Sequence, residues 1–252
     1  MALKEIMTGV VIAATNLLEG ITGFGSTVLA LPFLNITIGL HQAVQLLCIF
    51  GWAIPIYIIA RSLRHISWKE FGRILLWCAP GVPAGMLLFG ILPAEILCII
   101  LGAFMVATGI NGVRPAKPDS ITPEEAKKNP LLRLCLFCGG IIQGAFGTGG
   151  PFVVIYATKA IPEKSIFRVT LSMLWFSINS IRLLIWGANG ELNDPQLWKL
   201  VLITLPFWLA GVLLGDHLHN KVSEAAFRRM VYILLAVSGA VMLVNNLLKA
   251  TA

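Results

Sequence analysis

Eight apolar stretches make up most of this chain, at about residues 6–34, 42–60, 72–92, 96–113, 131–158, 166–188, 198–215 and 226–248. Their lengths cluster around the ~20 residues a helix needs to cross a bilayer. Backbone N–H and C=O groups in lipid must pair with each other, which leaves only helices and closed β-barrels. A barrel needs segments of ~10 residues that alternate polar and apolar side chains, and this sequence has no such alternation. Only 12% of residues are charged and 57% are hydrophobic, whereas a soluble domain carries about 25% charged residues. The chain therefore reads as an all-α polytopic membrane protein, with the lipid bilayer as its solvent.

One hydrophilic stretch, Arg114 to Pro130, interrupts the pattern, and Pro115, Pro118, Pro123 and Pro130 mark it as a linker. It splits the chain into residues 1–113, a linker at 114–130 and residues 131–252, with four apolar segments on each side. The first segment of each half carries the same glycine pattern. Gly20-Ile21-Thr22-Gly23-Phe24-Gly25-Ser26 recurs as Gly144-Ala145-Phe146-Gly147-Thr148-Gly149-Gly150, offset by 124 residues. A weaker echo links Pro80, Ala84 and Gly85 to Pro206, Ala210 and Gly211, offset by 126 residues. Both matches indicate an internal repeat.

Glycine costs about 1 kcal/mol in a helix interior, so each cluster predicts a helix break. Paired breaks in two halves of a membrane chain point to a transporter site near the midplane. Loop charge bears on the path of the chain. Arg61, Arg64, Lys69 and Arg73 follow segment two, Lys159, Lys164 and Arg168 follow segment five, and Lys221, Arg228 and Arg229 follow segment seven. Glu191 and Asp194 follow segment six. Eight simple crossings would put two basic loops outside. If segments one and five are re-entrant hairpins, every basic loop and the linker become cytoplasmic, as cytoplasmic loops of membrane proteins are. Each half then has three crossings after its hairpin, so the halves are inverted repeats. The charge pattern favours this arrangement over eight crossings.

The formal net charge of +7 is accounted for by these short loops, so nucleic acid is not expected as a partner. Cys48, Cys78, Cys98, Cys135 and Cys138 all lie in apolar surroundings. Cys135 and Cys138 have C-x-x-C spacing but lack the exposed, electropositive setting of a redox pair, and no set with metal-ligand spacing occurs. No cofactor or metal is expected. His41, His65, His217 and His219 lie near segment ends and read as interfacial.

The two glycine clusters, Pro32 after the first, and the two-half layout resemble the TauE/SafE family of sulfite exporter-like permeases. The resemblance covers nearly the whole chain. It departs in the second copy, where Tyr156 stands at the position of Pro32 and Pro151 follows the glycines directly. The resemblance implies transport of sulfite or a small organosulfur anion across the cell inner (plasma) membrane.

The residues suit such an anion. A half-helix that restarts after a break offers free N–H groups and a positive dipole end. Gly23, Gly25, Gly147, Gly149 and Gly150 let the backbone approach closely, and the first four of these are expected at positive φ or with an N–H facing the ligand. Thr22, Ser26, Thr27 and Thr148 add hydroxyls, and Gln143 adds an amide. Arg182 lies inside segment six with Asn179 one turn away. A charge at that depth costs at least about 2.5–3.5 kcal/mol on insertion scales, so it either grips the anion or snorkels to the interface. Glu19, acidic at membrane depth and matched by Gln143 in the second half, is the candidate proton carrier.

The expectation is a secondary transporter for small sulfur-containing oxyanions, working by alternating access around a midplane site formed by the two breaks, with protons as the candidate coupling ion. An uncoupled anion channel is the alternative. A membrane enzyme is disfavoured, because no nucleophile–base pair or metal cluster stands out.

Overall fold

The computed structural model describes residues 3–88, 94–113, 121–146 and 149–250, and among them every regular element is helical. The chain divides into two compact units. One comprises Met1–Ile66 and Arg168–Val222, the other Ser67–Phe167 and Ser223–Ala252. Each unit therefore draws on both halves of the sequence.

In the first unit, α1 (Leu3–Thr22) and α2 (Ser26–Ile38) form a helical hairpin around the first glycine cluster. Thr8 Oγ1 lies 3.5 Å from Thr37 Oγ1, so the open ends of the two arms meet. Ile6, Met7 and Val10 face Phe33, Ile36 and Thr37 across an apolar crevice at that end. Then follow α3 (Leu40–Ser62), a 3₁₀ turn at Leu63–His65, α10 (Lys164–Ala188) and α11 (Pro195–Lys221). Gln45 reaches the Glu191 carbonyl, while Trp52 donates to Ser180 Oγ at 2.9 Å, so α3 and α10 run antiparallel. The apolar core collects Ile12, Leu34, Leu46, Phe50, Ile54, Val201, Trp208 and Val212 from four helices.

In the second unit, segment three is two helices, α4 (Trp68–Cys78) and α5 (Gly81–Leu88), separated at Pro80. Proline removes a helical hydrogen bond and crowds the preceding turn, yet α3 carries Pro55 and α11 carries Pro206 without interruption. After Pro80 a second proline, Pro83, follows three residues on and removes another donor, and Gly81 seats α5 directly against the Phe137 carbonyl of α8, where a Cβ would not fit. The unit also contains α6 (Ala94–Val113), the short α7 (Pro123–Lys128), α8 (Pro130–Phe146), α9 (Gly150–Ala160) and α12 (Glu224–Ala250). Helices α8 and α9 form a second hairpin, since Gly139 packs against Phe152 and the Gly149 carbonyl. Helix α7 lies inside the stretch read as linker. Thr122 and Glu125 cap each other reciprocally at its start, a motif visible in the sequence as Thr-x-x-Glu.

The same helix pairing occurs in both units. The first arm of each hairpin packs on the third segment of the other half, α1 on α11 and α8 on α4 and α5. Glycines allow the approach: Gly211 abuts the Ala13 carbonyl, and Gly85 abuts the Ile141 carbonyl. Small residues permit such backbone contact in membrane helices. Four helical segments among the described residues are long and apolar enough to cross a membrane: Lys4–Thr22, His41–His65, Lys164–Ala188 and Pro195–Lys221.

Candidate functional site

The first break is a three-residue turn, Gly23 to Gly25, between α1 and α2. Gly23 has φ +80° and Gly25 has φ +104°, both in the region that favours glycine. The Gly23 N–H donates to the Glu19 carbonyl at 2.6 Å and closes the last turn of α1. Thr22 Oγ1 lies 2.7 Å from the Leu18 carbonyl and 2.9 Å from that of Phe24, so this hydroxyl holds the turn. Trp175 of α10 donates its indole N–H to the Gly23 carbonyl at 3.1 Å, and His219 Nδ1 lies 2.7 Å from the Ile21 carbonyl. His219 is buried, where α1 covers it.

The amino end of α2 is already occupied by a carboxyl group of the protein itself. Glu19 is 5% exposed. Its Oε2 accepts from the Ser26 N–H at 3.3 Å and from the Ser26 hydroxyl, which is closer still. A carboxylate there is stabilised by the free N–H groups and the helix dipole. Thr27 stands half-buried beside it.

The second break has a different construction. Gln143 Oε1 accepts from the Gly149 N–H at 2.8 Å, one residue before the helix start, whereas Glu19 binds Ser26 at the start of α2. Gly149 has φ −67°, not a positive value; it is glycine because a Cβ would strike the Gly139 carbonyl and Gln143. Gly150 begins α9. Gly147 and Thr148 lie outside the described residues.

The other two expected site residues do not join the first break. Asn179 donates to the Gly51 carbonyl at 2.9 Å and ties α10 to α3. Arg182 lies two turns beyond Trp175, with its guanidinium 5.7 Å from the Trp186 ring centre.

Arg168 is the residue that sequence reasoning misplaced. It was read as part of a basic cytoplasmic loop, but it lies on the first turns of α10 and is 4% exposed. Its Nη1 donates to Asp216 Oδ1 at 2.9 Å. Asp216 Oδ2 accepts from the Tyr57 hydroxyl at 3.1 Å, and Arg61 Nε stands 3.7 Å away. The break lies against this cluster, since a Cβ on Gly23 would come within 2.8 Å of the Arg168 carbonyl and 3.1 Å of its Cγ. The available signal was position: Arg168 falls just inside an apolar segment and Asp216 just past the end of another. A second missed cluster lies in the other unit, where buried Glu70 accepts from the Tyr156 hydroxyl at 2.6 Å and from Arg73. Among the described residues, no three His, Cys, Asp or Glu side chains are grouped closely enough to hold a metal ion.

Apolar helices of crossing length, with a glycine-broken hairpin folded among them, define a multi-pass membrane protein. Residues 8–242 match the family described as Sulfite exporter TauE/SafE, and the chain belongs to that family. Its characterised class is membrane transporters, not enzymes. "Probable inner membrane transporter protein TsaS" of Comamonas testosteroni is 25% identical over 180 residues, covering 71% of this chain and 73% of that protein. "Probable sulfite/organosulfonate exporter TauE" of Cupriavidus necator is 23% identical over 241 residues, 92% of this chain and 91% of that protein. A probable membrane transporter protein of Methanocaldococcus jannaschii is 24% identical over 192 residues, 72% of this chain and 70% of that protein. No solved structure matches the chain.

Proposed function

We propose that the protein is a secondary transporter of small sulfur-containing oxyanions, sulfite or an organosulfonate, in the cell inner membrane. It works by alternating access between two inverted repeats, each a re-entrant hairpin followed by three crossings. Each glycine break serves as an anion cradle. Thr22, Gly23, Gly25, Ser26 and Thr27 supply the first, and Gln143, Gly147, Thr148, Gly149 and Gly150 the second; Asn179 and Arg182 extend the polar path along α10. The names of two relatives, the antiparallel hairpins and the matching helix pairings support this reading.

The observation that carries it is the Glu19–Ser26 contact. The amino end of α2 is an anion site occupied by a tethered carboxylate. When Glu19 takes up a proton it loses its charge, and the free N–H groups accept a substrate anion in its place. When the anion leaves, Glu19 ionises and returns. One proton therefore travels with each anion. Gln143, the counterpart of Glu19 by the 124-residue offset, carries no exchangeable charge, so coupling belongs to the first break.

Purified protein in liposomes tests this. An inward proton gradient should drive sulfite or sulfonate uptake against its own gradient, and Glu19→Gln should abolish the driven component while retaining downhill flux. Flux that follows only the anion gradient in the wild-type protein would identify an uncoupled channel instead.

A further inference from the structure

We propose that the Nε–Nη2 edge of Arg168 is the substrate-gripping edge of this transporter, taking two oxygens of a sulfite or sulfonate group; this rests on the transport reading above. The Arg168 guanidinium is almost fully buried, and among the described residues only its Nη1 is engaged, by Asp216. Among the described residues, Nε and Nη2 have no hydrogen-bond partner. These two nitrogens form the side of the guanidinium plane that makes parallel hydrogen bonds to two oxygens of one oxyanion. Burying such donors without an acceptor is costly, more so for a charged group than a neutral one. The edge thus calls for an acceptor that the described residues do not supply.

Asp216 cannot serve both sides. Its Oδ1 holds Nη1, and its Oδ2 accepts from Tyr57, whose hydroxyl also accepts from Arg61 at 2.9 Å. Two cations, Arg168 and Arg61, share this one carboxylate, which leaves the cluster one positive charge in excess and matched to a monoanion. Asp216 acts as a positioning residue that fixes the guanidinium plane through Nη1 and leaves the opposite edge bare.

Arg168 is also linked mechanically to the first break. Gly23 rests on the Arg168 backbone, and Trp175, two turns along α10, holds the Gly23 carbonyl. Movement of the hairpin tip that releases Ser26 from Glu19 must therefore act on the helix that carries Arg168. A planar fork selects an anion with two oxygens over chloride, which offers a single acceptor point.

Calorimetry on purified protein in nanodiscs tests this with sulfite, methanesulfonate, acetate and chloride as probes. The wild-type protein should bind the oxyanions in preference to chloride. Arg168→Lys keeps the charge and the ion pair with Asp216 but loses the fork; it should weaken sulfite binding at least tenfold and remove the preference over chloride. If Arg168 only pins α10 to α11, the variant should melt earlier with its sulfite affinity and selectivity unchanged, which overturns the proposal. Nitrogen-15 arginine spectroscopy on the wild-type protein gives a readout independent of folding in the variant. The Arg168 Nε–H signal should shift on sulfite addition, and a silent signal at saturating sulfite overturns the assignment. A wild-type protein that binds none of the four probes refutes the transport reading itself.

Discussion

Gly23 experiences two separable penalties on substitution, and the chain contains the controls that separate them. Its φ of +80° lies in the left-handed region, where a side chain costs about 1–2 kcal/mol. A Cβ at this position would also lie 2.8 Å from the Arg168 carbonyl oxygen and 3.0 Å from its Cα. Those are backbone atoms on a packed helix and cannot rotate away, so overpacking adds about 1–3 kcal/mol. Gly23→Ala should therefore cost about 2–5 kcal/mol. Gly25 has φ +104° and Gly39 has φ +82°, but a Cβ on either would meet nothing within 4 Å. Gly25→Ala and Gly39→Ala should pay the conformational cost alone, about 1–2 kcal/mol each. Equilibrium unfolding of the three variants in mixed detergent–SDS micelles gives the ranking. Transport should survive Gly39→Ala, which lies beyond α2, and fail in Gly23→Ala, whose added methyl displaces α10. If Gly23→Ala were no more destabilising than Gly25→Ala, the contact between the break and Arg168 would not exist as described.

Other expectations follow from the same geometry. Gly85→Ala and Gly211→Ala should each cost about 1–3 kcal/mol in thermal unfolding, because each new methyl meets a backbone carbonyl of the hairpin arm it packs on; if only one is costly, the two packings are not equivalent. In a cysteine-free background, single cysteines at Lys127 and Lys164 should react with an impermeant maleimide from the same side of the membrane, since α8 and α9 double back between them; opposite-side labelling would restore a crossing there. The Glu125 carboxyl is held below its ordinary pKa first by the Thr122 N–H, and that of Glu124 by Lys127. Groups depressed in the folded state stabilise above their unfolded pKa and lose that contribution as pH falls through the folded value. Hydrogen exchange should find α7 better protected at pH 7 than at pH 3, with protection persisting to lower pH than an unperturbed carboxylate would allow.

Much of the helical layout was legible because membrane helices must be long and apolar, and because three glycines in six residues are costly inside such a helix. Backbone breaks at Gly23 and Gly25 follow from that pattern. The break at Pro80 did not, since Pro55 and Pro206 sit in unbroken helices. The contents of the first cradle were half legible. Glu19 stood out as an acid at depth, but its partner could be identified only once the turn brought Ser26 back over it. Arg168 was obscured by a sound rule applied at its limit. Lysines and arginines at segment ends usually face cytoplasm, and nothing local in the sequence places Asp216, 48 residues on, beside this one. Long-range pairing of this kind is a property of the fold.

The reciprocal packing of hairpin arms has a consequence for how the chain is made. Gly211 is the glycine that seats α11 against the Ala13 carbonyl of α1. At about 5–20 residues per second of synthesis, the ~200 residues between them take on the order of 10–40 s to emerge. For that interval the first hairpin lacks the helix that covers its arm. Maturation must then be late and all at once, set by the arrival of α11. Expressed alone, residues 1–113 should be degraded, and supplying residues 131–252 as a separate chain should rescue them.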